Sequence, residues 1–186
     1  MDTNTLNEDN LKKGLLGEEN ICDLINKNID IYSKIIRNVY IPIENKKTEI
    51  DIILITSFGL FIIESKNYSG YIYGSEEDYQ WTQYFTDTNK NYFLNPIHQN
   101  EYHIDYISNY LKRDLSYFKS YIIFGENAKL AKINYDKNKN KNKVLYLADL
   151  IENLIEDMHN SEIILSHEDI DKIYIDLKYY CEHIHN

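Results

Sequence analysis

Between Thr48 and Gly70 the chain reads TEIDIILITSFGLFIIESKNYSG. Two apolar, β-branched runs flank Ser57-Phe58, the pattern of a β-hairpin. Side chains alternate across a strand, so Glu49, Asp51, Ile53 and Ile55 share one face of the first run. Leu60, Ile62, Glu64 and Lys66 share one face of the second. If Ser57 and Phe58 form a two-residue turn, Thr56 stands opposite Gly59, Asp51 opposite Glu64, and Glu49 opposite Lys66. A three-residue loop would separate Asp51 from Glu64 unless a bulge restored the register. Ser-Phe is not a strong two-residue turn sequence, so turn chemistry leaves the register open.

Charge narrows the choice. Two carboxylates opposed in a sheet repel each other, by about 4 kcal/mol at roughly 4 Å and an effective dielectric of about 20. A divalent cation reverses that sign, and oxygen ligands suit Mg²⁺ or Mn²⁺. The bland alternative is a surface cluster in which Glu49–Lys66 and Asp51–Lys66 are ordinary pairs worth about 0–1 kcal/mol each. Both strands are apolar on both faces, so both faces should be covered, and that favours the metal.

The chain has 186 residues, 43% of them hydrophobic, which suits one domain with a packed core. We expect a flexible leader over residues 1–10 and a single domain over 11–186. No apolar run reaches the roughly 18 residues of a membrane span. The opening MDTNTLNEDN lacks the apolar stretch of a secretory signal. Cys22 and Cys181 form no CxxC or Cys/His cluster and read as buried thiols in a reducing compartment, so the expected location is cytoplasmic.

A net charge of −10 argues against a generic nucleic-acid binder, whose mark is a basic footprint. It does not exclude an enzyme that gathers carboxylates at one point. The basic strip Lys132–Lys143, KINYDKNKNKNK, reads as a solvated Asn/Lys loop. The 18 tyrosines follow the same compositional bias and do not count as a base-stacking surface.

Helical spacing of Leu15, Cys22, Ile25 and Ile29 predicts a helix from about Leu11 to Ile29. Glu18 falls on its apolar stripe. It is either a buried carboxylate needing a partner or a helix N-terminal glutamate favoured by the macrodipole. Gly14 and Gly17 suggest close approach to a neighbour. Ile35–Ile43, Ser69–Gly74, Tyr79–Phe85, Ser120–Gly125 and Val144–Leu147 read as strands, with Pro42 at an edge. Trp81 reads as a packing aromatic. Asn95 caps a helix that starts at Pro96 and runs to about Leu115. Along it Gln99 and His103 lie beside the core stripe, and His98 and His103 are too far out of phase for a metal pair. Helices Asp149–His159 and one capped by Ser166 close the chain. His183 and His185 are assigned no chemistry.

Gly14-x-x-Gly17-Glu18, Thr48-Glu49-Ile50-Asp51, Ile63-Glu64-Ser65-Lys66-Asn67 with Gly70, Trp81, and Asn95-Pro96-x-x-Gln99 resemble, in order and spacing, the nuclease-related domain (NERD) family. That family is similar to the PD-(D/E)xK nuclease superfamily, although Glu-Ile-Asp replaces the Pro-Asp dipeptide here. The resemblance covers about Leu11 to Phe124. It implies an α/β (α+β) fold with a central mixed β-sheet flanked by helices, a restriction-endonuclease-like core. It implies that Asp51, Glu64 and the Ser65 carbonyl hold Mg²⁺ or Mn²⁺, with Glu18 adding a ligand directly or through water. Lys66 would orient water or stabilise charge on the phosphate, and Gln99 would position substrate. The role of Glu49 stays open. Residues from about 144 form a strand–helix–helix elaboration that the resemblance does not explain. The expected function is a metal-dependent nuclease, a DNA endonuclease in preference to an RNA-cutting one. The alternative is a non-catalytic nucleic-acid- or protein-binding module that keeps the nuclease fold.

Overall fold

The computed structural model describes residues 3–43, 46–86, 89–136 and 142–182. In chain order these form α1 (Thr3–Asn28), β1 (Ser33–Ile43), β2 (Lys46–Thr56), β3 (Gly59–Lys66), β4 (Gly70–Ser75), β5 (Gln80–Thr86) and β6 (Asn89–Leu94). There follow α2 (Pro96–Leu111), β7 (Phe118–Phe124), β8 (Ala128–Asn134), β9 (Asn142–Tyr146), α3 (Leu150–His159) and α4 (His167–Glu182). The first helix starts earlier than its apolar periodicity predicts, because neither Gly nor Pro interrupts the chain before Gly14.

The central sheet is mixed, in the order β1-β2-β3-β7-β9, with β1, β2 and β3 antiparallel and β7 and β9 added in parallel beyond β3. The hairpin takes the two-residue turn: Thr56 pairs with Gly59, and the register runs to Ile52 opposite Ile63. Asn-Gly chemistry is not what closes it. The Thr56 hydroxyl donates to the Gly59 carbonyl (3.1 Å) and accepts from the Phe58 amide (3.1 Å), a side-chain substitute for a glycine turn.

Strand alternation divides the hairpin between two cores. Ile52, Leu54, Phe61 and Ile63 pack with Ile21 and Ile25 of α1 and Leu154 of α3. Ile53, Ile55, Leu60 and Ile62 pack with Ile104 and Ile107 of α2 and Ile170 and Leu177 of α4. Both sheet faces are covered, as two apolar faces require. The C-terminal segment is therefore integral: β9 extends the sheet, α3 covers one face and α4 the other. Ser166 does cap α4, its hydroxyl accepting from the Asp169 amide (3.1 Å) while the Asp169 carboxylate accepts from Ser166. Ser166→Ala should cost about 1 kcal/mol, lowering Tm by roughly 2–4 °C in a thermal melt.

The strands that follow β3 add a further sheet to the central one expected. A second, four-stranded sheet has the order β6-β5-β4-β8. Just as β3 runs parallel to β7, β4 runs parallel to β8, so the chain bends twice between the same partners. Gly70 makes one bend, with φ of 80° and the Tyr84 carbonyl 2.3 Å from where a Cβ would stand. The inner face of this sheet buries Ile72, Trp81 and Phe93 against Ile97 and Phe124. Trp81 is a packing residue, stacked on Phe124 at 6.2 Å. Strands β6 and β8 are additional to the sequence expectation. β6 buries only Phe93, and the β4–β8 pairing shifts register at Ile72/Tyr73, so neither shows clean alternation.

Candidate active site

The two strands of the hairpin part company where the charges begin. The β2–β3 ladder ends at Ile52–Ile63, one step before Asp51 and Glu64 would pair. β3 stays in the sheet because β7 holds it through Lys66, whereas β2 continues along β1. The Ser65 amide, freed from the ladder, donates to Asp51 Oδ2 at 2.8 Å. A strand residue's N–H and C=O point to the same side, so the Ser65 carbonyl also faces this notch.

β2 is disturbed on its other edge as well. Asn38, which falls between the pairs Arg37–Ile52 and Val39–Ile50 and so opposite Asp51, is left-handed with φ of 53°. Asparagine tolerates that conformation better than most residues. Its buried Oδ1 has no hydrogen-bond partner.

On the α2 side of the notch, Glu64 is 2% exposed. Its Oε1 accepts from Lys66 Nζ at 2.5 Å, and Lys66 Nζ also donates to Gln99 Oε1 at 3.1 Å. The other oxygen, Oε2, has no hydrogen-bond partner and lies 3.6 Å from His103 Nδ1, which is equally unpartnered. Burial pushes the Asp51 carboxyl well above the usual carboxylate range, and the Glu64 charge adds to it, against the opposing Ser65 amide. Burial would lower the Lys66 ammonium, but the charge and hydrogen bond of Glu64 outweigh it and hold its pKa above the ordinary lysine value. Burial lowers His103, which is neutral at neutral pH.

Glu18 is buried on α1, on the opposite side of the sheet from α2. Its partner is Arg37, Nη2 to Oε2 at 3.3 Å. Burial raises its carboxyl despite that pair, with the charges of Glu49 and Glu64 contributing. The macrodipole account of Glu18 fails, because α1 begins at Thr3 and Glu18 lies well inside it. Gly17 explains how α1 comes so near: a Cβ there would stand 3.0 Å from Ser65 Oγ and 3.1 Å from Asn67 Cβ. Gly14 has no such neighbour, and Leu15 and Leu16 are exposed, so only the later part of the expected stripe is buried.

The fold thus gathers Asp51, Glu64, Ser65, Lys66 and Gln99, with Glu18 near enough for its charge to act on Asp51. Glu49 does not meet Lys66. It is exposed and accepts from the Tyr40 hydroxyl at 2.6 Å, its direct partner across β1–β2, because β2 has already left β3. Among the described residues no three His, Cys, Asp or Glu side chains lie close enough together to hold an ion by themselves. The donor set that fits is Asp51, Glu64 and the Ser65 carbonyl, all hard oxygens. The orphaned Glu64 Oε2 and the raised Asp51 carboxyl are what a cation would satisfy.

Four residues here have roles that the sequence pattern does not assign. Arg37 and Asn38 gave no periodic signal. His103 did, standing one helical turn after Gln99 on the same α2 stripe, but that phase alone assigns it no partner. Asn100, fully buried, donates to the Ile62 carbonyl (2.9 Å) and Ser120 Oγ (2.8 Å) and pins α2 against β3 and β7.

The family model described as the nuclease-related domain matches residues 13–125. An uncharacterized protein of Bacillus anthracis is 34% identical over 164 residues, covering 87% of this chain and 74% of that protein. Among solved structures, Can2 from Sulfobacillus thermosulfidooxidans in complex with cyclic tetra-adenylate is similar with a TM-score of 0.44 and 19% identity. The match covers 78% of this chain and 37% of that one.

Proposed function

The chain belongs to the nuclease-related domain family, and from that premise we propose that it is a Mg²⁺- or Mn²⁺-dependent nuclease that cuts DNA internally. The observation that carries the reading is the notch itself, where Asp51, Glu64, Lys66 and Gln99 converge on an opening between β2 and β3. Asp51, Glu64 and the Ser65 carbonyl would hold the cation, with Glu18 contributing from α1. When bound, the cation lowers the pKa of a water and offsets charge on the scissile phosphate.

The chain's own residues do the rest. Lys66 keeps its proton, so it acts as a fixed positive charge and hydrogen-bond donor toward the phosphate or the attacking water, not as a general base. Gln99 holds the Lys66 ammonium from α2 and limits its wandering. Neutral His103 backs Glu64 from the same helix.

The test is nicking of supercoiled plasmid by the purified protein in Mn²⁺ or Mg²⁺ against EDTA. Metal-dependent nicking is expected. Metal-independent DNA binding without nicking would favour the non-catalytic module, and preferential cutting of matched RNA would reassign the substrate. Gln99→Ala should slow nicking roughly tenfold by loosening Lys66, with the Mn²⁺-induced rise in Tm retained. An unchanged rate would remove Gln99 from the site.

A further inference from the structure

The outer face of the second sheet has a chemistry unlike the rest of the chain. Strands β4, β5, β6 and β8 together carry three lysines and no Asp or Glu, in a protein with 30 acidic and 20 basic residues. The acidic residues Glu76, Glu77, Asp78 and Glu126 lie in the connecting segments, off the strands.

Pairing sets the outward side chains in two rows. One runs Lys129–Tyr71–Tyr84–Lys90 across β8, β4, β5 and β6. The next runs Lys132–Tyr73–Thr82–Tyr92. Tyr71, Tyr73 and Tyr92 are 46%, 41% and 51% exposed, large for aromatic rings. Tyr71 and Tyr73 line a shallow concavity of about 730 Å³ whose walls include Tyr84 and Phe85. Lys129 Nζ stands 5.1 Å from the Tyr71 ring, and Lys90 Nζ 5.1 Å from the Tyr92 ring.

These rings are not needed by the core. The inner face of the same strands already buries Ile72, Trp81 and Phe93, so the platform is packed from beneath. Exposed aromatic rings edged by cations suit a ligand with flat π-faces and a regularly spaced anionic backbone, which is a single nucleic-acid strand. A duplex keeps its base faces stacked on each other and cannot offer them. The platform also begins close to the notch: Gly70 follows Lys66 by four residues, a reach of at most about 14 Å.

We propose that the outer face of the β6-β5-β4-β8 sheet binds single-stranded DNA and leads it to the Asp51–Glu64 notch. The proposal rests on the nuclease reading and deepens it by naming the form of the substrate. Eighteen tyrosines in the sequence look like compositional bias; the fold places four of them on one acid-free face.

The test is fluorescence anisotropy with a labelled dT oligonucleotide of about 20 nucleotides, in EDTA so that cleavage is silent. The wild-type protein is expected to bind it better than the matched duplex. Tyr71→Ala and Tyr73→Ala should each weaken binding at least fivefold or so, and Lys129→Ala should reduce the salt slope by about 0.7. Tyr179→Ala, exposed on α4, should bind as wild type. All of these are surface changes, and circular dichroism checks that the fold is retained.

Unchanged binding in both tyrosine variants, a preference for the duplex, or tighter binding of matched RNA would overturn the proposal. So would self-association, by sedimentation, that the tyrosine variants abolish while no oligonucleotide binds. Because metal is withheld, failure here leaves the cleavage reading standing. Intact binding with no nicking in Mn²⁺ does the reverse.

Discussion

Glu64→Gln is expected to abolish Mn²⁺-dependent nicking, with a loss of about 10²–10³-fold or more, as for a group that supports charge at the reacting centre. Glutamine keeps the shape of the side chain and an oxygen to accept from Lys66 Nζ, but it cannot serve as an anionic ligand. The substitution need not unfold the protein, although it removes the partner of a lysine whose side chain is only 12% exposed. Stranding such a charge ordinarily costs several kcal/mol. Here a second carboxyl stands ready. Burial first and the Glu64 charge second hold the Asp51 carboxyl high, so removing that charge lowers it toward ionisation and toward serving as countercharge for Lys66. Circular dichroism and a melt should therefore show a folded protein beside a nicking assay that shows none. Wild-type cleavage by a folded Glu64→Gln protein sinks the assignment.

The same coupling explains which parts of the site were legible in the sequence. The hairpin register could be enumerated because strand alternation has a period of two and only one turn length opposes Asp51 to Glu64. The structure takes that register, yet it ends the ladder just before the pair would form. No periodicity could announce this. It depends on β7 holding β3 and on the left-handed Asn38 beside β2. Glu49 was misplaced against Lys66 for the same reason, since its true partner Tyr40 belongs to the strand that β2 follows away. Gln99 was legible because Asn95-Pro96 fixes the helix start and so its phase, with the Asn95 side chain accepting from the Ile97 amide at 3.0 Å. Arg37 and Asn100 were not, because a polar residue placed to meet groups distant in the chain leaves no repeating mark. The outward tyrosines of β4 were hidden by abundance. Their grouping comes from β8 and β6, the two strands whose own patterns were broken by a bulge and by polar neighbours.

Asp51→Asn is expected to make the metal-free protein more stable and to remove its response to metal. The Asp51 carboxyl is raised in the folded state, first by burial and then by the Glu64 charge. A carboxyl raised on folding contributes stability below its unfolded pKa and loses that contribution as pH climbs through the folded value. In EDTA, then, the Tm of Asp51→Asn minus that of wild type should be near zero at about pH 4. It should become positive as pH rises to 8, reaching roughly 2–4 °C for each kcal/mol of strain relieved. Asparagine keeps an oxygen for the Ser65 amide, so the one hydrogen bond that Asp51 makes there survives. Glu18 is raised in the same direction, but it is common to both proteins and cancels in the difference. With Mn²⁺ the order inverts. At about 100 times Kd a ligand of the folded state stabilises wild type by about 2.7 kcal/mol, a rise of roughly 5–11 °C. Asp51→Asn should gain little or nothing. If wild type already melts higher than Asp51→Asn in EDTA at pH 8, or if the variant keeps the full Mn²⁺ shift, Asp51 is not the carboxylate that waits for the cation. The expected pair of results, a more stable amide without metal and a lost Mn²⁺ response, would mean that Asp51 is kept for binding, since the fold alone would be better served by an amide.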